Sequence, residues 1–318
     1  MNKLIPSINS DTRIAIIAHV NPDGDSLGSI MALGLALMKR SNQVNIFLND
    51  ELPGRYSFLP EVHLLKKYQS NEFDDFDLCF VLDCGDDRRF GDIDLLVKSK
   101  EVINIDHHVS NNGFGDINFV RTDASSTCEI VYSIITEELE IQLDEKIATC
   151  LYTGIVTDTG NFRYESTTSY THKVVAELLD FGVNIQEITF NLYQNNSLNS
   201  TKFLGHVLNQ MEIYFNGKVA IITIDQDLLK EFDVKYEEVE GIINYARDIE
   251  GVEVAVIIKE ATTDGEIKIS FRSKKNYDVN ELAKGFGGGG HKRASGATTK
   301  GTLTDVKESL LNKLEKMI

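Results

Sequence analysis

The chain has 318 residues, 42% apolar and 25% charged, with a formal net charge of −17 and four cysteines. That length predicts two globular domains, and the charge excludes a protein that coats long nucleic acid, which needs a broad basic surface. No apolar stretch reaches the ~18 residues of a spanning helix, no secretory apolar core opens the chain and the cysteines lack CxxC spacing, so a cytoplasmic protein with buried reduced thiols and no membrane partner is expected.

From residue 13 the chain alternates strand-type and helical runs. "RIAIIAH" reads as a strand, "DSLGSIMALGLALMKRS" as a helix, and "QVNIFL", "DLCFVLD" and "EVINID" as further strands. Continuously apolar strands linked by helical crossovers predict a parallel sheet covered on both faces. Helical segments near 126–140, 143–157 and 169–181 should pack around it, and the amide-rich stretch 184–204 reads as a linker or connecting helix. Beyond it, "KVAIITI", "VEVAVIIKE" and "EIKISFRS" are strands, with helices near 226–247 and 278–285. The glycine-rich "GFGGGGHKRASG" and an amphipathic helix over 303–317 close the chain. The expected fold is α/β: a parallel-sheet domain over 1–183, a linker over 184–204 and a smaller α/β domain over 205–318, with an active-site cleft between the two.

The first strand runs into "AHVNPDGDS", a later one into "VLDCGD", and the next into "NIDHH". His19, Asp23, Asp25, Asp83, Asp106, His107 and His108 therefore fall just beyond carboxyl ends of strands, the edge where open parallel sheets bind ligands. Asp23 and Asp25 are two residues apart in a Pro/Gly loop, so each can serve a different metal, with His19 joining Asp23 and Asp83 as the bridging carboxylate. Asp158, in "GIVTDTGNFRY", supplies a fourth carboxylate, and His107 shares the second metal with Asp25, Asp83 and Asp158. Oxygen ligands with a few imidazoles favour Mn²⁺, with Mg²⁺ as the alternative, and two divalent cations balance four carboxylates. Two such ions suit in-line displacement at a phosphoryl group. His108 would donate a hydrogen bond or proton there, and Asp106 would hold an imidazole in its tautomer. His63, His172 and His206, each isolated, read as structural.

"HVNPDGDSLGS", "LDCGDDRRFG", "NIDHHVSN" and "TGIVTDTGNFRY" together resemble the four motifs of the DHH phosphoesterase superfamily, and "GFGGGGHKRASG" resembles the signature of its DHH-associated C-terminal domain. The domain pairing and length are most similar to the NrnA-like branch of oligoribonucleases and pAp phosphatases. The resemblance implies two Mn²⁺ ions on the ligands above and a catalytic His108. It also implies short substrates: nanoRNA of two to five nucleotides cut from an end, 3′-phosphoadenosine 5′-phosphate (pAp), or the linear dinucleotide pApA. In that scheme Arg272, Gly288, Gly289, Gly290, His291, Arg293 and Ser295 would hold substrate phosphate, the glycines through a backbone anion nest. Lys274, Lys275, Lys284 and Lys292 either join that basic spot or merely solubilise the domain. A homodimer is a loose implication of the family.

Other readings are a pyrophosphatase or exopolyphosphatase, a cyclic di-AMP pathway phosphodiesterase, and a non-catalytic metal or nucleotide sensor or RNA-binding module. Pyrophosphatases carry a different C-terminal domain, and the membrane-bound phosphodiesterases add N-terminal membrane segments. The filled set of ligand positions favours an enzyme over a sensor.

Overall fold

The structure, a computed structural model, describes residues 5–69, 75–86, 98–239, 241–263, 265–290 and 292–318. The chain divides into two compact units, Met1–Asn195 and Asn196–Ile318. The stretch 184–204 is largely helical and spans the boundary: helical turns cover Ile185–Thr189 and Phe190–Gln194, and a new helix begins at Leu198.

The first unit is built on a parallel sheet of six strands among the described residues: β1 (Ile14–Ala18), β2 (Val44–Phe47), β3 (Leu65–Lys66), β4 (Phe76–Leu82), β5 (Ser99–Asp106) and β6 (Ile117–Val120). Their order is β3-β2-β1-β4-β5-β6, so the direction of winding reverses between β1 and β4. All five β1 residues are buried, because alternate side chains enter opposite cores. Ile14 and Ile16 pack with Phe80 and Ile103 under the helices, while Ala15 and Ile17 pack with Phe47 and Val81 on the other face.

On the first face lie α1 (Gly24–Leu37), α2 (Thr127–Ser133), α3 (Glu145–Asp158) and α4 (Ser169–Asp180). Beyond Ser133 the predicted helix 126–140 continues as a π-turn over Ile134–Glu138. Helices α1 and α3 approach so closely that a Cβ on Gly28 would come 2.5 Å from the Cys150 carbonyl oxygen, and one on Gly154 would come 2.9 Å from Asp25 Oδ1 and 2.2 Å from Cys128 Sγ on α2. This contact brings the start of α1, with Asp25, against the end of α3, with Asp158. Asp23 caps α1 by accepting hydrogen bonds from the Asp25 and Ser26 amides.

The second unit holds, among the described residues, a mixed six-stranded sheet in the order β11-β12-β10-β9-β8-β7. Its strands are β7 (Glu212–Tyr214), β8 (Val219–Ile224), β9 (Val254–Glu260), β10 (Glu266–Ser273), β11 (Gly289–Gly290) and β12 (Ala294–Lys300). Val256, Ile269 and Phe271 face one core, and Ile222 and Ile257 face another. The helical run predicted over 226–247 is two helices, Gln226–Phe232 and Ile242–Arg247, because the chain turns left-handed at Asp233 and Gly241. Among the described residues no helix is long and apolar enough to cross a membrane.

Candidate metal centre

The winding reversal between β1 and β4 opens the crevice expected of such sheets, and each strand delivers one ligand-grade side chain just past its end. His19 follows β1, Asp83 follows β4 and His107 follows β5. Asp83 is itself left-handed, with φ +54°, a conformation disfavoured for a residue with a Cβ; its amide donates to the Ile105 carbonyl at 2.9 Å, which pins the turn. His19, Asp25, Asp83, Asp106 and His107 are all buried.

Three overlapping groups converge. His19, Asp23 and Asp83 offer ligand atoms within 4.8 Å of one another, as do Asp25, His107 and Asp158, and Asp83, His107 and His108. Asp83 Oδ2 lies 3.4 Å from His19 Nε2, and its Oδ1 lies 3.7 Å from His107 Nε2. His107 Nε2 is 3.6 Å from Asp158 Oδ2 and 3.9 Å from Asp25 Oδ2. Asp83 thus stands between the groups that receive Asp23 and Asp25. These carboxylates and imidazoles are a fitting donor set for hard or borderline divalent cations, and His19 is oriented for it. The carbonyl oxygen of Val20 can only accept, so His19 Nδ1 donates to it at 2.8 Å and Nε2 is left to face the carboxylates.

The groups of the cluster shift one another's titration. Burial first, then the Asp83 and Asp158 carboxylates, push Asp25 well above the usual carboxylate range. Burial also pushes Asp83 upward, but the His19 hydrogen bond and the charges of the three surrounding imidazoles outweigh it and hold Asp83 low. Burial lowers His19, yet its hydrogen bond to Asp83 and the charges of Asp23 and Asp83 raise it to about 9. His107 and His108 are also raised against the effect of burial, by Asp25 and Asp83 and by Asp106 respectively.

A layer of hydrogen bonds fixes these groups, and sequence reasoning anticipated only its Asp106–imidazole contact, missing the parts played by Thr127, Cys128, Asn104 and Asn111. The Thr127 and Cys128 amides, at the start of α2, donate to Asp25 Oδ2 and Oδ1 at 2.6 and 2.9 Å, and Thr127 Oγ1 donates to Asp83 Oδ1 at 3.0 Å. Asp106 Oδ1 meets His108 Nδ1 at 2.7 Å and accepts the His107 amide at 2.9 Å. Its other oxygen accepts from Asn111 Nδ2 at 2.6 Å, and that amide group also donates to buried Asn104 at 2.7 Å. The sequence signals were an asparagine inside the apolar run "VINID" and another three residues after the paired histidines.

The predicted phosphate-holding residues lie in the second unit. Arg272 Nη1 donates to the Phe271 carbonyl at 2.9 Å, and the Arg293 guanidinium donates to the Lys274 carbonyl. Ser295 is buried and donates to the Val279 carbonyl at 2.7 Å. Gly289 and Gly290 pair with Gly296 and Ser295 as strand β11, and a Cβ on Gly288 would fall 2.1 Å from the Gly296 oxygen. Close backbone packing therefore accounts for Gly288 without a ligand. His291 lies outside the described residues, as does the 87–91 part of the "LDCGDDRRFG" motif. The four cysteines are buried and none is in a disulfide.

Residues 13–155 match the DHH family, N-terminal domain, and residues 216–318 match the DHHA1 domain. The chain is 31% identical to the bifunctional oligoribonuclease and PAP phosphatase NrnA of Bacillus subtilis, covering 93% of this chain and 92% of that one. It is 32% identical to the protein of the same name from Thermus thermophilus, covering 92% and 86%. Among solved structures it is similar to an exopolyphosphatase-related protein from Bacteroides fragilis, with TM-score 0.86 and 30% identity over 95% of this chain and 92% of that one.

Proposed function

Because the chain belongs to the DHH family of phosphoesterases and carries its DHHA1 domain, we propose that it hydrolyses short oligoribonucleotides such as nanoRNA and pApA from an end, and removes phosphate from pAp, using two divalent cations, Mn²⁺ by preference. The observation that carries this reading is the chain of shared ligands: Asp83 belongs to the groups around both Asp23 and His107, and His107 also joins Asp25 and Asp158. In this reading His19, Asp23 and Asp83 hold one cation, and Asp25, Asp83, His107 and Asp158 hold the other. When bound, such a pair activates water as a nucleophile and neutralises phosphoryl oxygens.

The remaining roles belong to the protein. Asp106 holds Nδ1 of His108, so that Nε2 can pass a proton to the leaving oxygen. Thr127 and Cys128 keep Asp25 in place through their amides. In the second unit, Arg272 and Arg293 are proposed to neutralise the substrate's terminal phosphate, with Gly288–Gly290, His291 and Ser295 shaping that position. An acidic chain suits short ligands, since only a few phosphates need local compensation.

The test is a panel of kcat/KM values for pAp, pApA, two- to five-nucleotide RNA, cyclic di-AMP, pyrophosphate and polyphosphate with Mn²⁺ and with Mg²⁺. The reading expects pAp and short linear RNA to be preferred, with Mn²⁺ the better cation. Preferred turnover of pyrophosphate or polyphosphate would move the chain to that chemistry, in keeping with the name of the Bacteroides relative.

A further inference from the structure

Beyond Asp158 the chain forms a rigid turn that displays an arginine and a tyrosine. Thr159 is its hub: its carbonyl accepts the Arg163 and Tyr164 amides at 3.0 and 3.1 Å, and its hydroxyl accepts the Phe162 amide at 3.1 Å while donating to Ile155. Gly160, Asn161 and Phe162 are successively left-handed, at φ +56°, +60° and +62°. Two of these carry a Cβ, so the turn holds a conformation that is disfavoured for such residues and is kept mainly where it has a use. The Tyr164 ring lies on Gly160, where a Cβ would come 2.3 Å from it, and Arg163 Nε donates to the Gly160 carbonyl at 2.7 Å.

A second segment meets this turn. Tyr193, 40% exposed, donates its hydroxyl to the Val156 carbonyl at 3.5 Å, two residues before Asp158. The turn Gly54–Tyr56 packs against Phe190–Gln194 and carries Arg55, whose guanidinium lies 5.0 Å from the centre of the Tyr56 ring. Burial and then Tyr164 raise the Tyr193 phenol, whereas Arg163 and Arg55 act in the opposite sense, so both arginines lie within electrostatic reach of its ring.

We infer that Arg55, Arg163, Tyr164 and Tyr193 form a nucleotide subsite beside Asp158, which takes the second nucleoside of a dinucleotide, the one that pAp lacks: its base on the tyrosines, with the arginines toward the phosphate that joins it. Every nucleobase offers a face to an aromatic ring, and a planar guanidinium pairs with phosphate oxygens. Two arginines beside two tyrosines at the end of a helix that bears a proposed ligand suit one anionic, base-bearing unit. The inference rests on the proposed function and refines it. A mononucleotide with two phosphates has one base, whereas a dinucleotide has two, so the subsite would set the preference between pAp and short RNA.

The experiment compares kcat/KM for pApA and for pAp in the Mn²⁺-loaded full chain and its Tyr193→Ala and Arg163→Gln variants. The ratio is internal to each preparation, so partial loss of folded protein cancels. Each variant is expected to lower the pApA-to-pAp ratio by roughly ten- to a hundredfold, the scale of one lost base stack or phosphate contact, mostly through KM. A ratio within twofold of wild type in either variant overturns the subsite. Wild-type turnover of neither compound removes the functional reading and the subsite with it; wild-type turnover with unmoved ratios removes the subsite alone.

Discussion

The amide of Thr127 reaches across 102 residues of sequence to donate a 2.6 Å hydrogen bond to Asp25 Oδ2. With the Cys128 amide on the other oxygen, both acceptors of one buried carboxylate are held by the first turn of α2. A proposed ligand on α1 is thereby positioned by a helix that carries none of the proposed ligands.

That arrangement depends on the helix contact beneath it. A Cβ on Gly154 would stand 2.2 Å from Cys128 Sγ and 2.9 Å from Asp25 Oδ1. Gly154→Ala should cost about 1–3 kcal/mol in a urea titration and shrink the stabilisation gained from Mn²⁺. Cys128→Ala in the same chain should restore part of both, by relieving the closer clash.

Asp158 is a third exposed and shares a group with Asp25 and His107. In metal-free protein, Asp158→Asn removes a charge that pushes Asp25 upward, so its melting temperature should equal or exceed that of wild type. The rise in melting temperature on adding Mn²⁺ should fall to less than half. Thermal scans with and without EDTA check both signs.

His19 sets the pH dependence. Its value in the fold, about 9, lies above its ordinary 6.5, so protonation stabilises the metal-free protein fully below 6.5 and this stability is lost as pH rises through about 9. A metal needs the neutral Nε2 and competes with that proton. Between pH 6.5 and 9 the metal-free melting temperature should therefore fall while Mn²⁺ affinity rises. Calorimetric titration across that range would show the opposing trends.

Asn111 links Asn104 to Asp106, which holds His108. Asn111→Ala leaves buried Asp106 Oδ2 without this donor and should cost about 1–3 kcal/mol of stability. Turnover should fall about ten- to a hundredfold with a smaller change in KM, because the defect is in the orientation of His108 rather than in substrate capture.

The strands legible in the sequence were β1, β4, β5, β8 and β9, where burial on both faces wrote continuous apolar runs, and β2 and β10, which show a shorter and an alternating apolar pattern. Strand β12, "ASGATTK", was not legible, because its small residues take their place from pairing with β10 and β11 rather than from apolar content. Strands β3 and β7, of two and three residues, are too short to show a period. At the candidate metal centre, His19, Asp83 and His107 could be grouped because parallel strands deliver their ends to one edge. The amides of Thr127 and Cys128 left no comparable mark, since a backbone donor is the same in every residue and its direction is decided by packing.

The most direct test of the central claim is release of product from pAp and pApA by the Mn²⁺-loaded protein, beside an Asp83→Ala variant shown to be folded. Asp83 stands between both ligand groups, so wild type should turn over both compounds and the variant should lose at least a thousandfold in kcat, roughly the 4 kcal/mol that separates an assembled site from a broken one. Wild type with no turnover of either compound, or a variant that retains it, would contradict the account.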